Sequence, residues 1–185
     1  RQRQMCIRDR AKVASSMLDV IALRVDKHET LEMFAANSSV PVINALSDLS
    51  HPCQILADLM TFKENSASEL EKVCWIGDGN NVCNSYIEAS KILDFELSIY
   101  CPKEYSPDPS FLNYAKENSS FANSREEAAK GADIITTDVW VSMGDEKTKE
   151  KAFQGYFVDT DLIENTGKES IFLHCLPAHS CLLYT

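Results

Sequence analysis

The feature that most constrains the fold is a predicted strand, a tight turn and a helix in direct succession. An apolar run at residues 72–76 stops at Gly77-Asp78-Gly79, and a helical pattern follows. The apolar face of that helix is predicted to contain Val82, Cys83, Tyr86, Ile87 and Leu93. Such a succession opens a parallel α/β unit. Because open α/β sheets bind ligands at the carboxyl ends of their strands, this stretch also predicts where a site lies.

The rest of the chain alternates between strands and helices in the same way. Strands are predicted at residues 20–25, 40–44, 72–76, 95–100, 132–137 and 171–174. A helix from Ala11 is predicted to carry Val13, Ala14, Met17 and Leu18 on its apolar face. A helix from His51 to about Glu64 is predicted to carry Ile55, Leu56, Leu59 and Met60. A charged helix is predicted at 145–153. The predicted fold class is α/β, a parallel sheet flanked by helices.

Composition and charge narrow the kinds of partner. Apolar residues make up 44% of the chain and charged residues 25%, as in ordinary soluble domains. The net charge is −10 and no basic stripe occurs, which argues against nucleic-acid binding. The seven cysteines show no C-x-x-C pair, which favours reduced thiols over a disulfide framework. No apolar run reaches the roughly 20 residues needed to span a membrane.

Polar segments divide the chain into predicted domains. The segment 65–69 is polar, and we place the boundary between domains 9–64 and 65–179 there. Residues 1–8 and 180–185 follow no periodic pattern, so we interpret them as non-native-looking extensions. The last predicted strand is not followed by the helix that an α/β fold requires. We therefore expect the chain to be a fragment.

Four stretches carry the polar residues expected of a site, namely 51–54, 78–81, 138–144 and 174–177. Each also has a structural interpretation. Asn80 and Asn81 are typical of a helix N-cap, and His51 before a proline can cap its own helix. Cys175 can be an ordinary core residue, as free cysteines often are.

Two other chemistries compete for the same residues. Gly77-x-Gly79 is half of a dinucleotide fingerprint, but Val82 occupies the third glycine position, which disfavours a nucleotide-dependent oxidoreductase. Cys175 with His51 as its base is a conceivable thiol nucleophile. His174 cannot be the base for Cys175, since neighbouring strand residues point to opposite faces of the sheet.

A zinc site is also disfavoured. His174, Cys175 and His179 lack the ligand spacing of a zinc site, and no fourth ligand is apparent. We therefore predict no metal.

Taken together and in this order, the four stretches resemble the aspartate/ornithine carbamoyltransferase family. His51-Pro52-x-Gln54 is similar to both branches of that family, whereas the other three stretches resemble the ornithine branch. The resemblance covers roughly residues 9–179. It implies the end of a carbamoyl-phosphate domain followed by most of a Rossmann-like ornithine domain. The implied reaction moves the carbamoyl group of carbamoyl phosphate to the δ-amino group of L-ornithine, which gives L-citrulline and phosphate.

The resemblance assigns one group of residues to carbamoyl phosphate. Arg24 and His51 would donate to the carbonyl oxygen, where negative charge develops in the reaction. Gln54 and the backbone carbonyl of Leu176 would hold the carbamoyl amino group, with Cys175 beside them.

A second group is assigned to ornithine. The matching positions are Asn81, Asp138, Ser142 and Met143. Asp138 and Cys175 would lie beside the attacking amine, which is mostly protonated at neutral pH. Arg24, His51, Asp138 and Cys175 are the predicted catalytic residues.

The remaining expectations also follow from the resemblance. It implies two small-molecule substrates, no cofactor, no membrane contact, and a homotrimer or a multiple of trimers. The location would be the cytoplasm, or the mitochondrial matrix of a eukaryote. The phosphate loop of the family, Ser-Thr-Arg-Thr-Arg, has no counterpart upstream of Ala11, so we expect little activity from this chain alone. The alternatives are a non-catalytic ligand-binding paralogue and a carbamoyltransferase for a related amine, such as N-acetylornithine or putrescine.

Overall fold

The predicted alternation of strands and helices is present in the computed structural model, which describes residues 2–140, 147–176 and 183–184. The chain divides into two units, Arg1–Gln54 and Ile55–Thr185. Every strand pair among the described residues is parallel, which confirms the α/β class. No helix within the described ranges is long and apolar enough to cross a membrane.

The first unit is built on a pair of parallel strands. Its elements are α1 (Gln2–Ser15), β1 (Ile21–Arg24), α2 (His28–Ala35), β2 (Val42–Leu46) and the start of α3 (Pro52–Asn65). Helix α1 begins at Gln2 rather than Ala11, so it includes residues for which the sequence predicts no regular structure. The predicted apolar positions Met17 and Leu18 lie beyond its end and are exposed. At that end the Ser15 and Ser16 hydroxyls donate to carbonyl oxygens of the preceding turn, which competes with further helix.

Helix α3 starts in the first unit and continues into the second. Pro52 opens it, as predicted from the fixed φ of proline. The predicted apolar face is only partly correct. Ile55 is buried as expected, but Leu56 and Met60 are 64% and 61% exposed. The helix instead buries Asp58, since helical spacing places that acid one turn after Ile55.

The second unit contains a five-stranded sheet. Its elements are β3 (Lys72–Ile76), α4 (Asn81–Leu93), β4 (Glu96–Tyr100), a 3₁₀ helix (Lys103–Tyr105), α5 (Pro109–Tyr114), β5 (Ser119–Phe121), α6 (Arg125–Ala129), β6 (Ile134–Thr137), a 3₁₀ helix (Lys147–Phe153), β7 (Val158–Asp159), α7 (Thr160–Glu164), β8 (Ile171–His174) and β9 (Leu183–Tyr184). The strand order is β5-β4-β3-β6-β8, and β7 pairs with β9.

Strand β3 lies at the centre of this sheet. Val73 to Ile76 are fully buried, because both faces of the strand are covered and a continuous apolar run is needed there. Trp75 and Ile87 lie in the larger core cluster of the unit. Leu93, which the sequence places on the apolar face of α4, is 54% exposed at the end of that helix.

Three short elements are not predicted from the sequence. Strands β5 and β7 and helix α7 have two to five residues, and none contains an apolar run like those that predict β6 and β8. The predicted charged helix at 145–153 is a 3₁₀ helix over Lys147–Phe153. The predicted domain boundary at 64/65 differs from the division of the two units at Gln54/Ile55 and stays a prediction.

A buried carboxylate fixes the amino-terminal edge of the sheet. Asp133 directly precedes β6 and is 4% exposed. One of its oxygens accepts from the backbone N–H groups of Glu71 and Lys72 at 2.9 and 2.8 Å, and the other lies 2.6 Å from the Lys168 ammonium. Burial raises the pKa of Asp133, but the Lys168 ammonium and the two N–H donors outweigh burial and hold the pKa below its ordinary value.

Asp133 is therefore expected to make the unit acid-sensitive. A carboxyl group with a lowered pKa stabilises the fold above its unfolded-state pKa, and this contribution is lost as pH falls through the folded-state value. Asp133→Asn is expected to lower the free energy of unfolding by about 2 kcal/mol at pH 7 and to flatten its dependence on pH below about 4. Urea unfolding followed by tryptophan fluorescence measures both effects. The exposed Glu169→Gln is the control, and an unchanged acid dependence in Asp133→Asn would contradict the assignment.

Candidate active site

The turn after β3 sets the first part of the site. Gly77 has φ +135°, a conformation that side-chain-bearing residues rarely adopt, and its N–H donates to the Tyr100 carbonyl at 3.0 Å. Asn80 then caps α4, since its side-chain oxygen accepts from the N–H groups of Val82 and Cys83 at 3.0 and 3.1 Å. The N-cap interpretation of Asn80 is thus confirmed.

Asn80 also contacts Asp138, which follows β6. The Asn80 amide nitrogen donates to Asp138 Oδ2 at 2.8 Å, and the Val139 N–H donates to Asp138 Oδ1 at 2.8 Å. Asp138 is 9% exposed. Both of its oxygens are therefore held by fixed donors in a buried position at the carboxyl edge of the sheet. The sequence did not predict Asn80 as a site residue. Its position inside the Asp78-Gly79-Asn80-Asn81 stretch was the available signal.

Cys175 completes the pair that the sequence places beside the attacking amine. It follows β8, the strand next to β6 in the sheet, so Cys175 and Asp138 lie beyond the carboxyl ends of neighbouring strands. Burial raises the pKa of the Cys175 thiol, and the negative charges of Asp138 and Asp58 raise it further. The thiol is therefore protonated at neutral pH. A raised pKa disfavours the thiolate-nucleophile alternative.

His174 is not placed to activate Cys175. Its ring nitrogen Nδ1 is hydrogen-bonded to the backbone carbonyl of Cys175, not to the sulfur. This agrees with the expectation that neighbouring strand residues point apart.

A second polar pair lies in the core of the unit. The Tyr86 hydroxyl donates to Asp58 Oδ2 at 2.7 Å, and both residues are buried. Burial raises the pKa of Tyr86, with a further contribution from Asp58. The sequence presents Tyr86 only as an apolar position of α4 and gives no signal that Asp58 is buried beneath it.

A buried ion pair anchors the segment that follows residues 141–146. The Lys149 ammonium lies 2.6 Å from Asp78 Oδ2, with side chains 12% and 8% exposed. It also lies over the Tyr105 ring, 5.1 Å from the centroid. On the other side of the interval, Trp140 stacks on Phe153 with ring centroids 5.9 Å apart. The predicted ornithine residues Ser142 and Met143 lie outside the described residues.

The predicted carbamoyl-phosphate residues Arg24, His51 and Gln54 belong to the first unit. Arg24 ends β1 and is exposed, His51 directly precedes α3, and Gln54 lies in the first turn of α3. The loop before His51 is closed by a hydrogen bond from Ser47 N–H to the Ser50 carbonyl at 3.0 Å.

The remaining predicted residues belong to the second unit. Asn81 opens α4 beside Asn80, and the backbone of Leu176 follows Cys175 with its side chain 87% exposed. Asp138 and Cys175 follow the paired strands β6 and β8. The catalytic and binding roles assigned to all these residues stay predictions.

Comparison with known protein families covers almost the whole chain. Residues 1–64 match the carbamoyl-P binding domain of aspartate/ornithine carbamoyltransferase, and residues 70–181 match its Asp/Orn binding domain. The chain belongs to the aspartate/ornithine carbamoyltransferase family. The resemblance inferred from the four stretches is thus confirmed.

Individual members of the aspartate/ornithine carbamoyltransferase family are similar over the same span. Ornithine carbamoyltransferases of Acinetobacter baylyi and Halorhodospira halophila are 50% and 46% identical over 177 residues, which is 94% of this chain. The chain spans 58% and 59% of the lengths of those relatives.

Solved structures of family members are similar to this chain over the same span. The anabolic ornithine carbamoyltransferase of Campylobacter jejuni matches with a TM-score of 0.87 and 41% identity, and that of Thermus thermophilus with 0.83 and 43%. Both matches cover 94% of this chain, but 61% and 58% of the solved chains.

Proposed function

We propose that the protein transfers the carbamoyl group of carbamoyl phosphate to the δ-amino group of L-ornithine, which gives L-citrulline and phosphate. The observation that carries this proposal is the buried Asp138 carboxylate, held by the Asn80 amide and the Val139 N–H at the carboxyl edge of the sheet. The relatives named ornithine carbamoyltransferase support it.

The chemistry requires a neutral amine next to a polarised carbonyl. The amine nitrogen attacks the carbamoyl carbon, the bond from that carbon to the phosphate oxygen breaks, and the proton that the amine loses is taken up by the departing phosphate. Asp138 accepts hydrogen bonds from the amino acid, and the low exposure around it favours the uncharged amine. Arg24 and His51 donate to the carbonyl oxygen, where negative charge develops.

The other proposed contacts select the substrates. Gln54 and the Leu176 carbonyl hold the carbamoyl amino group. Asn81, Ser142 and Met143 bind the α-amino and α-carboxylate groups of ornithine, which need polar and charge-assisted partners. Cys175 lies beside both substrates, next to the carbamoyl group and the attacking amine.

Three further features belong to the proposal. The 185-residue chain alone turns over slowly, because its sequence contains no counterpart of the Ser-Thr-Arg-Thr-Arg phosphate loop. The whole protein forms a homotrimer or a multiple of trimers. It works in the cytoplasm, or in the mitochondrial matrix of a eukaryote.

A ligand panel tests the substrate assignment without requiring turnover. We expect calorimetry with carbamoyl phosphate present to show binding of L-ornithine, and at least about tenfold weaker binding of putrescine and N-acetyl-L-ornithine. Putrescine lacks the α-carboxylate, and N-acetyl-L-ornithine lacks the charged α-amine. Asn81→Ala is expected to weaken ornithine binding.

The matched control for this experiment is Asn118→Ala, at a half-buried asparagine. The Asn118 side chain donates to Asp94, so it does not contact Asp138. Equal affinity for putrescine or N-acetyl-L-ornithine would contradict the ornithine assignment. Ornithine binding without citrulline formation by the whole protein would favour the non-catalytic paralogue.

A further inference from the structure

One residue of the first unit, Asn44 on β2, holds the chain on both sides of His51. The Asn44 amide nitrogen donates to the Ser50 hydroxyl at 2.9 Å and to the Ser50 carbonyl at 3.4 Å. Ser50 directly precedes His51. The backbone carbonyl of Asn44 accepts from the Cys53 thiol at 3.3 Å, and Cys53 lies two residues after His51. The histidine is therefore bracketed by contacts to a single strand residue.

The loop 47–50 that leads to the histidine is closed by its own hydrogen bonds. The Ser47 N–H donates to the Ser50 carbonyl at 3.0 Å, and the Ser50 N–H donates to the Ser47 hydroxyl at 3.2 Å. These two serines are 0% and 7% exposed. Asp48 fastens the loop to α2, because its Oδ1 accepts from the His28 N–H at 2.9 Å. The amide on β2 therefore acts on a loop of defined shape and sets where its last residue lies.

The oxygen of the Asn44 side chain shows that stability alone does not require an amide here. This atom, Oδ1, is buried and has no hydrogen-bond partner among the residues that the structure describes. A buried acceptor without a partner lowers the stability of a protein. A leucine side chain, which has nearly the same shape, would avoid that cost. The Ser50 carbonyl would keep the Ser47 N–H as its donor.

The position of His51 matters because of what the proposed reaction asks of it. His51 donates to the carbonyl oxygen of carbamoyl phosphate, where negative charge develops in the transition state. A displacement of about 1 Å in such a donor can cost about a hundredfold in rate. Donors act best when neighbouring contacts fix them before the substrate arrives. The contacts of Asn44 with Ser50 and Cys53 are of this kind.

We propose that Asn44 is a positioning residue for His51. Its amide nitrogen holds Ser50 and so fixes the backbone from which the His51 ring reaches the carbonyl oxygen. The role of that ring in the reaction rests on the proposed function. The placement of His51 by Asn44 does not, and it can be measured without any substrate.

The test without substrate is the imidazole NMR signal of His51 in Asn44→Leu. Leucine fills the space of the amide but donates no hydrogen bond. We expect the Hε1–Cε1 cross-peak of His51 to shift or broaden, because a ring on a loosened backbone samples several environments. The urea midpoint of the chain, followed by circular dichroism, is expected to stay unchanged. His51→Gln assigns the peak by its absence, and His174 in the second unit is the internal reference.

The test with substrate is turnover of the whole protein. We expect Asn44→Leu to lower kcat for citrulline formation by about tenfold and to leave the KM for ornithine within about twofold. This split follows because the carbonyl donor acts on the transition state, whereas the residues assigned to ornithine are others. A purely structural role of Asn44 would instead lower the urea midpoint and the amount of active protein together.

Asn37→Leu is the matched control. Asn37 is a half-buried asparagine of the same unit, and its amide nitrogen donates to the Met33 carbonyl at 2.8 Å. The substitution therefore removes the same kind of hydrogen bond from a different place. It is expected to leave the His51 signal and kcat at their wild-type values. Asn44→Thr is a second variant in case leucine does not fold, since threonine suits a strand and its hydroxyl is too short to replace the amide.

Each outcome decides the proposal. A changed His51 signal with a lower kcat per folded molecule, in the Asn44 variants alone, supports it. A wild-type His51 signal in these variants, a wild-type kcat, or an equal change in Asn37→Leu overturns it. If the wild-type whole protein forms no citrulline, the proposed function fails, and the His51 signal still decides whether Asn44 positions the ring.

Discussion

Asp138→Ala is expected to reduce citrulline formation by about a thousandfold and to weaken ornithine binding by at least about tenfold. In the proposed function the carboxylate accepts from the amine, and its loss also leaves the Asn80 amide without the partner it has at 2.8 Å. Carbamoyl phosphate binding should be largely retained, since the residues assigned to it are others. Turnover is measured as citrulline in the whole protein, and ornithine binding by calorimetry with this chain.

The matched control lies at the other end of the same strand. Asp133 precedes β6 and Asp138 follows it, and both are buried. Asp133→Ala is expected to lower stability while ornithine affinity per folded molecule stays unchanged. Near-normal turnover in Asp138→Ala would refute the site, and equal loss of binding in both variants would show that the effect is structural.

Gly79→Ala is expected to lower the free energy of unfolding of the second unit by about 3 kcal/mol or more. A Cβ at this position would lie closer than 3.0 Å to three backbone atoms, which are the Pro107 nitrogen, the Ser106 carbonyl carbon and the Tyr105 carbonyl oxygen. Backbone atoms cannot rotate away as a side chain does. The Gly79 N–H also donates to the Tyr105 carbonyl at 2.9 Å, so the two segments must stay in contact. Urea unfolding measures the loss.

Gly167→Ala is the control for this change. Gly167 has φ +88°, but a Cβ there would meet no atom within 4 Å. Only backbone strain remains, which costs about 1–2 kcal/mol. If Gly79→Ala proves no more destabilising than Gly167→Ala, the close approach of the two segments is not as tight as the structure shows.

Much of the fold was predictable, because a strand that is buried on both faces shows a continuous run of apolar residues in the sequence. The apolar run of β3 and the turn at Gly77 are of this kind, and β3 and β8 occur at the predicted residues. Helix α3 shows where the pattern misleads. Leu56 and Met60 look like core residues, whereas the acid between them, Asp58, is the buried one. Hydrophobicity alone cannot foresee an acid that has a hydrogen-bonding partner in the core.

The candidate site was predictable only through the resemblance to a family. Local chemistry gave each stretch an equally good structural interpretation, and for Asn80 that interpretation is also correct. The contacts that join the residues cross long stretches of sequence, 58 positions from Asn80 to Asp138 and 28 from Asp58 to Tyr86. No spacing rule reaches across such distances, so these partners became visible only in three dimensions.

The double use of Asn80 restricts how this position can vary. At most helix starts serine, threonine, aspartate and asparagine substitute for one another with little effect. Here the oxygen of the amide caps α4 while its nitrogen holds Asp138. Aspartate would keep the cap but set two carboxylates against each other, and serine has no second polar atom. At Asn80, an exchange that is neutral in other helices would therefore keep the cap of α4 but remove the donor that holds Asp138.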